Sequence, residues 1–174
     1  MADRFRAPKG TRDILPGEAS RWQALERTIR RVAAAHGFRE IRTPIFEATR
    51  LFARGVGQET DIVSKEMYSW VDQGGDELTL RPELTAPVVR AFIQHNLAAV
   101  SPVTKVYYVG PLFRRERPQK GRYRQFHQMG VEAFGSPYPE LDVDIIACAW
   151  NLFQELGLTR LELKLNSIGS SDSR

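Results

Sequence analysis

Apolar residues return every three or four positions early in the chain. Trp22, Leu25, Ile29, Val32 and Ala33 form the series, with Glu18, Arg21, Glu26, Arg27, Arg30 and Arg31 between them. This repeat predicts an amphipathic helix, and Gly37 stands where a C-terminal glycine would end it. The preceding residues 6–17 hold two prolines and two glycines and read as an extended arm. Over residues 38–44 the period shortens: Phe38, Ile41 and Ile45 are apolar among charges, predicting a short strand that ends at Thr43-Pro44. Residues 49–54 predict a helical turn, and residues 55–64 a polar, mobile loop. Residues 67–71 and 77–81 read as a β-hairpin closed by the glycine loop 72–76.

From Pro82 the helical period resumes, with Ala86, Val89, Phe92, Ile93 and Asn96 marking one face and Pro87 in the first turn, where its missing N–H costs little. Residues 105–114 and 125–134 are strand-like and enclose a polar hairpin loop, 115–124. A last helix is predicted over residues 140–156, with Leu141, Ile145, Ala149, Leu152 and Phe153 on one side and Gly157 at its end, then a strand at 161–165. Hairpins and strand runs with interspersed helices predict an α+β fold, an antiparallel β-sheet flanked by helices. The polar tail 167–174 directly after a strand, with no closing element, leads us to expect that the domain is truncated.

The chain has 174 residues, the size of one domain, and 42% of them are hydrophobic, enough for a core. Lys and Arg number 25 against 21 Asp and Glu, a net charge of +4 that does not by itself imply nucleic acid. Cys148 is the one cysteine, so no internal disulfide can form. No apolar run approaches the ~20 residues of a membrane span. Residues 1–12 are basic with no apolar stretch behind them, unlike a secretory signal. A soluble cytoplasmic protein, with no membrane partner, is the simplest account. His36, His95 and His127 lack metal-ligand spacing, so no protein-bound zinc is expected. No glycine-rich dinucleotide turn, Walker-type lysine loop or nucleophile triad is readable, so any nucleotide site must be built on a sheet face.

Three places could carry chemistry. The segment Arg114-Arg115-Glu116-Arg117-Pro118-Gln119-Lys120-Gly121-Arg122-Tyr123-Arg124 has six basic residues against one acid. Phosphates are the obvious partner; a solvated basic hairpin tip is the equal alternative by charge alone. On the strand that follows, Phe126, Gln128, Gly130, Glu132 and Phe134 share one face by period two. An aromatic, an amide, a glycine that leaves space and a carboxylate suit a pocket floor, and equally a half-exposed strand. His127, Met129, Val131 and Ala133 share the other, core-suited face. Glu83, at a strand-to-helix junction, reads first as a carboxylate favoured by the helix dipole, and alternatively as an ammonium ligand with the Thr85 hydroxyl beside it.

These segments carry a family resemblance. Phe113-Arg114-Arg115-Glu116, the loop and Phe126 resemble motif 2 of class II aminoacyl-tRNA synthetases, and the run from Arg114 to Gln128 is similar to the histidyl form in particular. Leu80-Arg81-Pro82-Glu83-Leu84-Thr85 resembles that family's amino-acid-binding loop, and Lys9-Gly10-Thr11-Arg12-Asp13 its N-terminal segment. The first helix with Ile41-Arg42-Thr43-Pro44 resembles motif 1, the dimer interface.

The resemblance implies the class II catalytic fold, with residues 1–174 supplying motifs 1 and 2 of a partial catalytic domain. It implies histidine, ATP with Mg²⁺ and the tRNA(His) acceptor stem as partners, and a homodimer. Arg114 would be the catalytic residue, touching the α-phosphate and the reacting carboxylate. Arg114, Glu116, Arg122 and Phe126 would bind ATP, with Glu116 on the adenine amino group and Phe126 stacked on the ring. Glu83, Leu84, Thr85, Arg114, Gln128 and Glu132 would bind histidine, Glu132 taking the imidazole N–H. Gln119, Lys120 and Arg124 would face tRNA. Leu84 departs from the smaller residue expected there and could narrow the amino-acid end. The family's further catalytic arginine, its motif 3 arginine and its anticodon-binding domain have no counterpart in these residues. The regulatory subunit of ATP phosphoribosyltransferase, a relative that binds histidine without charging tRNA, is the alternative; the intact basic loop with Phe126 points to the synthetase.

Overall fold

The computed structural model describes residues 5–55, 66–117, 119 and 121–166. Its long hairpin, β5 (Thr104–Phe113) and β6 (Gln125–Phe134), is the spine of the fold. The two strands pair antiparallel from Thr104 opposite Phe134 to Phe113 opposite Gln125. β1 (Arg39–Glu40) adds to the far edge of β5 in parallel, giving the order β1-β5-β6. A second sheet of order β2-β4-β3 is antiparallel throughout: β2 (Phe46–Ala48), β3 (Tyr68–Val71) and β4 (Glu77–Leu80). The expected antiparallel sheet is therefore two sheets, one with a parallel edge.

Helices cover both faces of the hairpin sheet. α1 (Pro16–Ala35) buries Ile29, Val32 and Ala33, the face its period predicts. α5 (Glu140–Glu155) buries Cys148 and Leu152 beside them. With Phe38 and Tyr107 these form one core cluster, onto which Val109, Met129 and Val131 pack from the strands. Gly37, at φ +76°, ends the first helix as expected. On the opposite face, α3 (Thr85–Gln94) buries Pro87, Val88 and Ala91, and a second cluster joins Leu84, Val88, Val106, Tyr108 and Leu112 with Phe126 and Phe134 packed against it.

Several boundaries differ from the sequence reading. The strand expected over 38–44 shrinks to two paired residues, and β2 forms after the proline instead. Pairing decides this: Phe46 finds Leu80 across β4, whereas only Arg39 and Glu40 lie beside β5. The apolar face of α3 is turned by about one residue from the predicted one, leaving Ile93 70% exposed while Phe92 stacks on Phe134 at 4.4 Å. Asn96 does not continue that helix; it is left-handed at φ 47° and separates α3 from the short α4 (Leu97–Val100). Residues 161–165 form no ladder with the described residues, so the expected strand is absent among them. The expected mobile loop 55–64 lies, beyond Gly55, outside the described residues. α2 (Thr49–Gly55) matches its predicted turn.

Candidate functional site

The β4–α3 turn presents Glu83 and Thr85 to β6. Leu84 caps α3 without a side-chain bond, so the free N–H groups of the first turn fall to Glu83. Its carboxylate accepts from the Thr85 N–H at 2.5 Å and from the Ala86 N–H at 3.1 Å. The capping role left open by the sequence is thus present. Burial raises the Glu83 carboxyl above the usual range, the Ala86 and Thr85 amides pull it back, and the nearby Glu132 carboxylate raises it further.

Glu132 is bound from two sides. The Thr85 hydroxyl donates to its Oε1 at 2.8 Å, and the Tyr108 hydroxyl reaches the same oxygen at 3.3 Å. Tyr108 stands opposite Gly130 in the ladder. A Cβ on Gly130 would lie 2.3 Å from the Tyr108 hydroxyl, so the space expected over Gly130 is filled by that ring. Burial pushes the phenol up to about 12, with the Glu132 charge adding to it, which keeps Tyr108 a neutral donor. Two carboxylates joined through Thr85, whose N–H donates to Glu83 and whose hydroxyl donates to Glu132, make an acceptor-rich site suited to an ammonium or ring N–H. Gln128, half-buried and opposite Gly110, lies on the same face of β6. The Leu84 side chain is buried in the second core cluster with Val88, Tyr108 and Leu112.

The basic group is assembled within the hairpin. Arg114 follows β5; its Nε donates to the Pro82 carbonyl at 2.9 Å, and its guanidinium sits 5.1 Å from the Phe126 ring centroid. Glu116 lies between Arg114 at 3.8 Å and Arg122 at 3.5 Å. These long, partly exposed ion pairs add little stability and leave both cations available to an anion. Phe126 keeps its half-buried ring on the second core cluster. Arg114 thus joins the two halves, touching the turn that carries Glu83 and the ring that would receive a base.

The loop residues separate. Gln119 is exposed and pairs through its backbone with Arg122. Lys120 lies outside the described residues. Arg124 is drawn to the N-terminal arm: its N–H donates to the Gly10 carbonyl at 2.7 Å and its Nη1 to the Lys9 carbonyl at 3.4 Å. His127 keeps to the α1 side, its ring 4.8 Å from that of Trp22. A cavity of about 370 Å³ opens beside β1 and is walled by Arg30, Glu40, Arg42, Arg81, Tyr107 and Tyr108 among others; Glu83, Arg114, Phe126 and Glu132 lie outside its lining. Among the described residues, no group of three or more His, Cys, Asp or Glu side chains could hold a metal. No helix among them is long and apolar enough to cross a membrane.

The family model for histidyl-tRNA synthetase matches residues 10–171. The chain belongs to the histidyl-tRNA synthetase family. It is 57% identical over 167 residues to a histidine–tRNA ligase of Desulforudis audaxviator, covering 96% of this chain and 40% of that protein. It is 60% identical over 162 residues to the ligase of Moorella thermoacetica, covering 93% of this chain and 38% of the relative. The apo histidyl-tRNA synthetase of S. aureus superposes with a TM-score of 0.76 at 39% identity, over 90% of this chain and 36% of that one. The chain therefore spans about 40% of the length of the ligases it matches. The architecture is that of the class II synthetase fold, with mixed helices and antiparallel sheets.

Two residues beside the candidate site escaped the sequence reading. Tyr108 was hidden because its partnership with Gly130 depends on the β5–β6 register. Arg81 was quoted within its motif but given no role, although it is among the few buried charged side chains. A charged residue beside a proline in an apolar strand end was the available signal.

Proposed function

We propose that this chain carries the motif 1 and motif 2 part of an enzyme that activates histidine with ATP and transfers it to tRNA(His). The carboxylate of histidine attacks the α-phosphorus, the bond to pyrophosphate breaks, and histidyl-adenylate forms. The 3′-terminal adenosine hydroxyl of tRNA then attacks the activated carbonyl and AMP leaves. Such transfers depend on positioning and charge stabilisation, so they need no nucleophilic side chain.

The observation that carries this reading is the convergence of Glu83, Thr85 and Glu132 with Arg114, which contacts Phe126 on one side and the Pro82 carbonyl on the other. Arg114 bridges the reacting carboxylate and the α-phosphate. Phe126 stacks on adenine, Glu116 accepts from its amino group, and Arg122 reaches the outer phosphates. Glu83, Thr85 and Gln128 hold the α-ammonium, beside the Leu84 backbone. Glu132 accepts the imidazole N–H. Mg²⁺ rides on the nucleotide's phosphates. Gln119 and Lys120 face the acceptor stem, while Arg124 orders the base of the loop against Gly10. A homodimer through motif 1 and a cytoplasmic location complete the proposal.

The nucleotide group Arg114, Glu116, Arg122 and Phe126 favours a ligase over a histidine-binding regulatory subunit, which has no use for ATP and tRNA contacts. Histidine-dependent ATP–pyrophosphate exchange by the full-length gene product tests the reading. Exchange is expected; histidine binding without exchange selects the regulator. The 174 residues on their own, spanning about 40% of the length of the ligases they match, are expected to show little or no tRNA charging, and ready charging by them would refute the partial-site assignment.

A further inference from the structure

Arg81 is a buried cation held by backbone carbonyls; Glu47 acts on it through space without forming an ion pair. It is 5% exposed and makes no ion pair among the described residues. Its Nε donates to the Pro111 carbonyl at 3.0 Å, and its Nη1 to the carbonyls of Thr43 at 2.8 Å and Pro44 at 3.2 Å. Its backbone N–H donates to Ile45 at 3.0 Å and its carbonyl accepts from the Phe113 N–H at 3.1 Å. Residues 43–45 lead into β2, Arg81 follows β4, and Pro111 and Phe113 lie on β5. From the end of β4 in the second sheet, this residue therefore bonds β5 of the first sheet and the connection between β1 and β2. Gly110 makes the room: a Cβ there would come within 2.5 Å of Nη2.

A buried charge held by carbonyls rather than by a contacting carboxylate is costly, and an apolar side chain would fill a merely packed junction at lower cost. A planar fork that reaches carbonyls on separate segments sets geometry. What it sets lies on either side of it. Glu83 and Thr85 follow in the β4–α3 turn, whereas Glu132 and Arg114 belong to the β5–β6 hairpin. Arg114, Glu116, Arg122 and Phe126 all sit within that hairpin. The amino-acid end thus depends on how the two sheets are registered; of the nucleotide end only Arg114 touches the turn, through the Pro82 carbonyl, while Glu116, Arg122 and Phe126 belong to the hairpin alone.

We propose that Arg81 is a positioning residue, fixing the registry of the two sheets and so the distance of Glu83 and Thr85 from Arg114 and Glu132. The proposal rests on the reading of Glu83, Thr85 and Glu132 as the histidine end of the site. Its test is Arg81→Lys in the full-length gene product, with Gly110→Ala as a second variant that keeps Arg81 and displaces its guanidinium. In pyrophosphate exchange, the KM for histidine is expected to rise about tenfold or more in each, since small misplacements of binding groups have effects of that order. The KM for ATP stays within about twofold. If Arg81→Lys does not fold, Gly110→Ala decides by the same split. Equal shifts in both constants, or a lowered melting temperature with both unchanged, overturn the proposal. A wild-type protein that neither exchanges pyrophosphate with histidine nor binds it in calorimetry overturns the reading of the site itself, and this proposal with it.

Discussion

The Thr85 hydroxyl donates to Glu132 Oε1 at 2.8 Å, joining the start of α3 to the last third of β6 across 47 positions of sequence. Tyr108 is aimed at the same oxygen. Both bonds go to Oε1, so the protein fixes Glu132 through one oxygen. Glu132→Gln keeps an acceptor for Thr85 and Tyr108 and removes the charge. Its KM for histidine is expected to rise roughly 10- to 100-fold, the span of a hydrogen bond to a charged group. Exchange kinetics measure this, and thermal unfolding within a few degrees of wild type separates it from loss of fold.

Arg114→Ala removes the contact with Pro82 and the cation over Phe126. Neither is a deeply buried ion pair, so stability should change by no more than about 1 kcal/mol. The rate of adenylate formation should fall at least 10²-fold, the usual loss when a preorganised charge aimed at the transition state is removed. Urea denaturation beside single-turnover adenylation distinguishes the two. A large loss of stability with little loss of rate would place Arg114 among the structural residues.

Stability against acid depends on the clasp between α1, β5 and α5. His36 Nδ1 bonds Asp144 at 2.8 Å, Lys105 bonds the other oxygen, and Asn151 donates to His36 Nε2 at 3.0 Å. The His36 bond first, then that of Lys105, holds the Asp144 carboxyl below its usual range. A depressed acid contributes stability above its unfolded-state pKa and loses it as pH falls through the folded one. Urea midpoints should therefore drop from about pH 4 downwards, and Asp144→Asn should flatten that limb. An unchanged acid limb in the variant would remove Asp144 from the account.

Much of this was legible before any coordinates. The 3.6-residue period of α1, the hairpin around Gly74 and Gly75 and the alternation of β6 depend on local sequence, and each appears where it was read; α5 also forms, but its buried face centres on Cys148 and Leu152 and leaves Phe153 42% exposed. β1 and β2 did not, because strands of two and three residues exist only where a partner passes: Arg39 beside Val106, Phe46 beside Leu80. The Tyr108–Gly130 pair was hidden for a related reason. The tip of the long loop pairs Gln119 with Arg122, and continuing that count would bring Tyr108 opposite Ala133. The ladder instead pairs Tyr108 with Gly130, a three-residue offset absorbed between tip and strands. Glu83, Thr85 and Glu132 were named from motif and face, but the bonds that join them needed this register.

That pair supports a last prediction. Gly130 is opposite a tyrosine that is 4% exposed, and a Cβ would meet the ring hydroxyl at 2.3 Å and Cζ at 2.4 Å. The ring is hemmed in by Leu84, Val88, Val106 and Leu112. It cannot yield without disturbing that cluster. Gly130→Ala is therefore an overpacking change, expected to cost about 1–3 kcal/mol in urea denaturation. It should also raise the KM for histidine, because a displaced Tyr108 no longer holds Glu132 Oε1. Tyr108→Phe removes only the hydroxyl and should leave stability closer to wild type while still loosening Glu132. Were Gly130→Ala as stable as wild type, the ring would have to move freely, and the rigid placement of Glu132 by Tyr108 would be wrong.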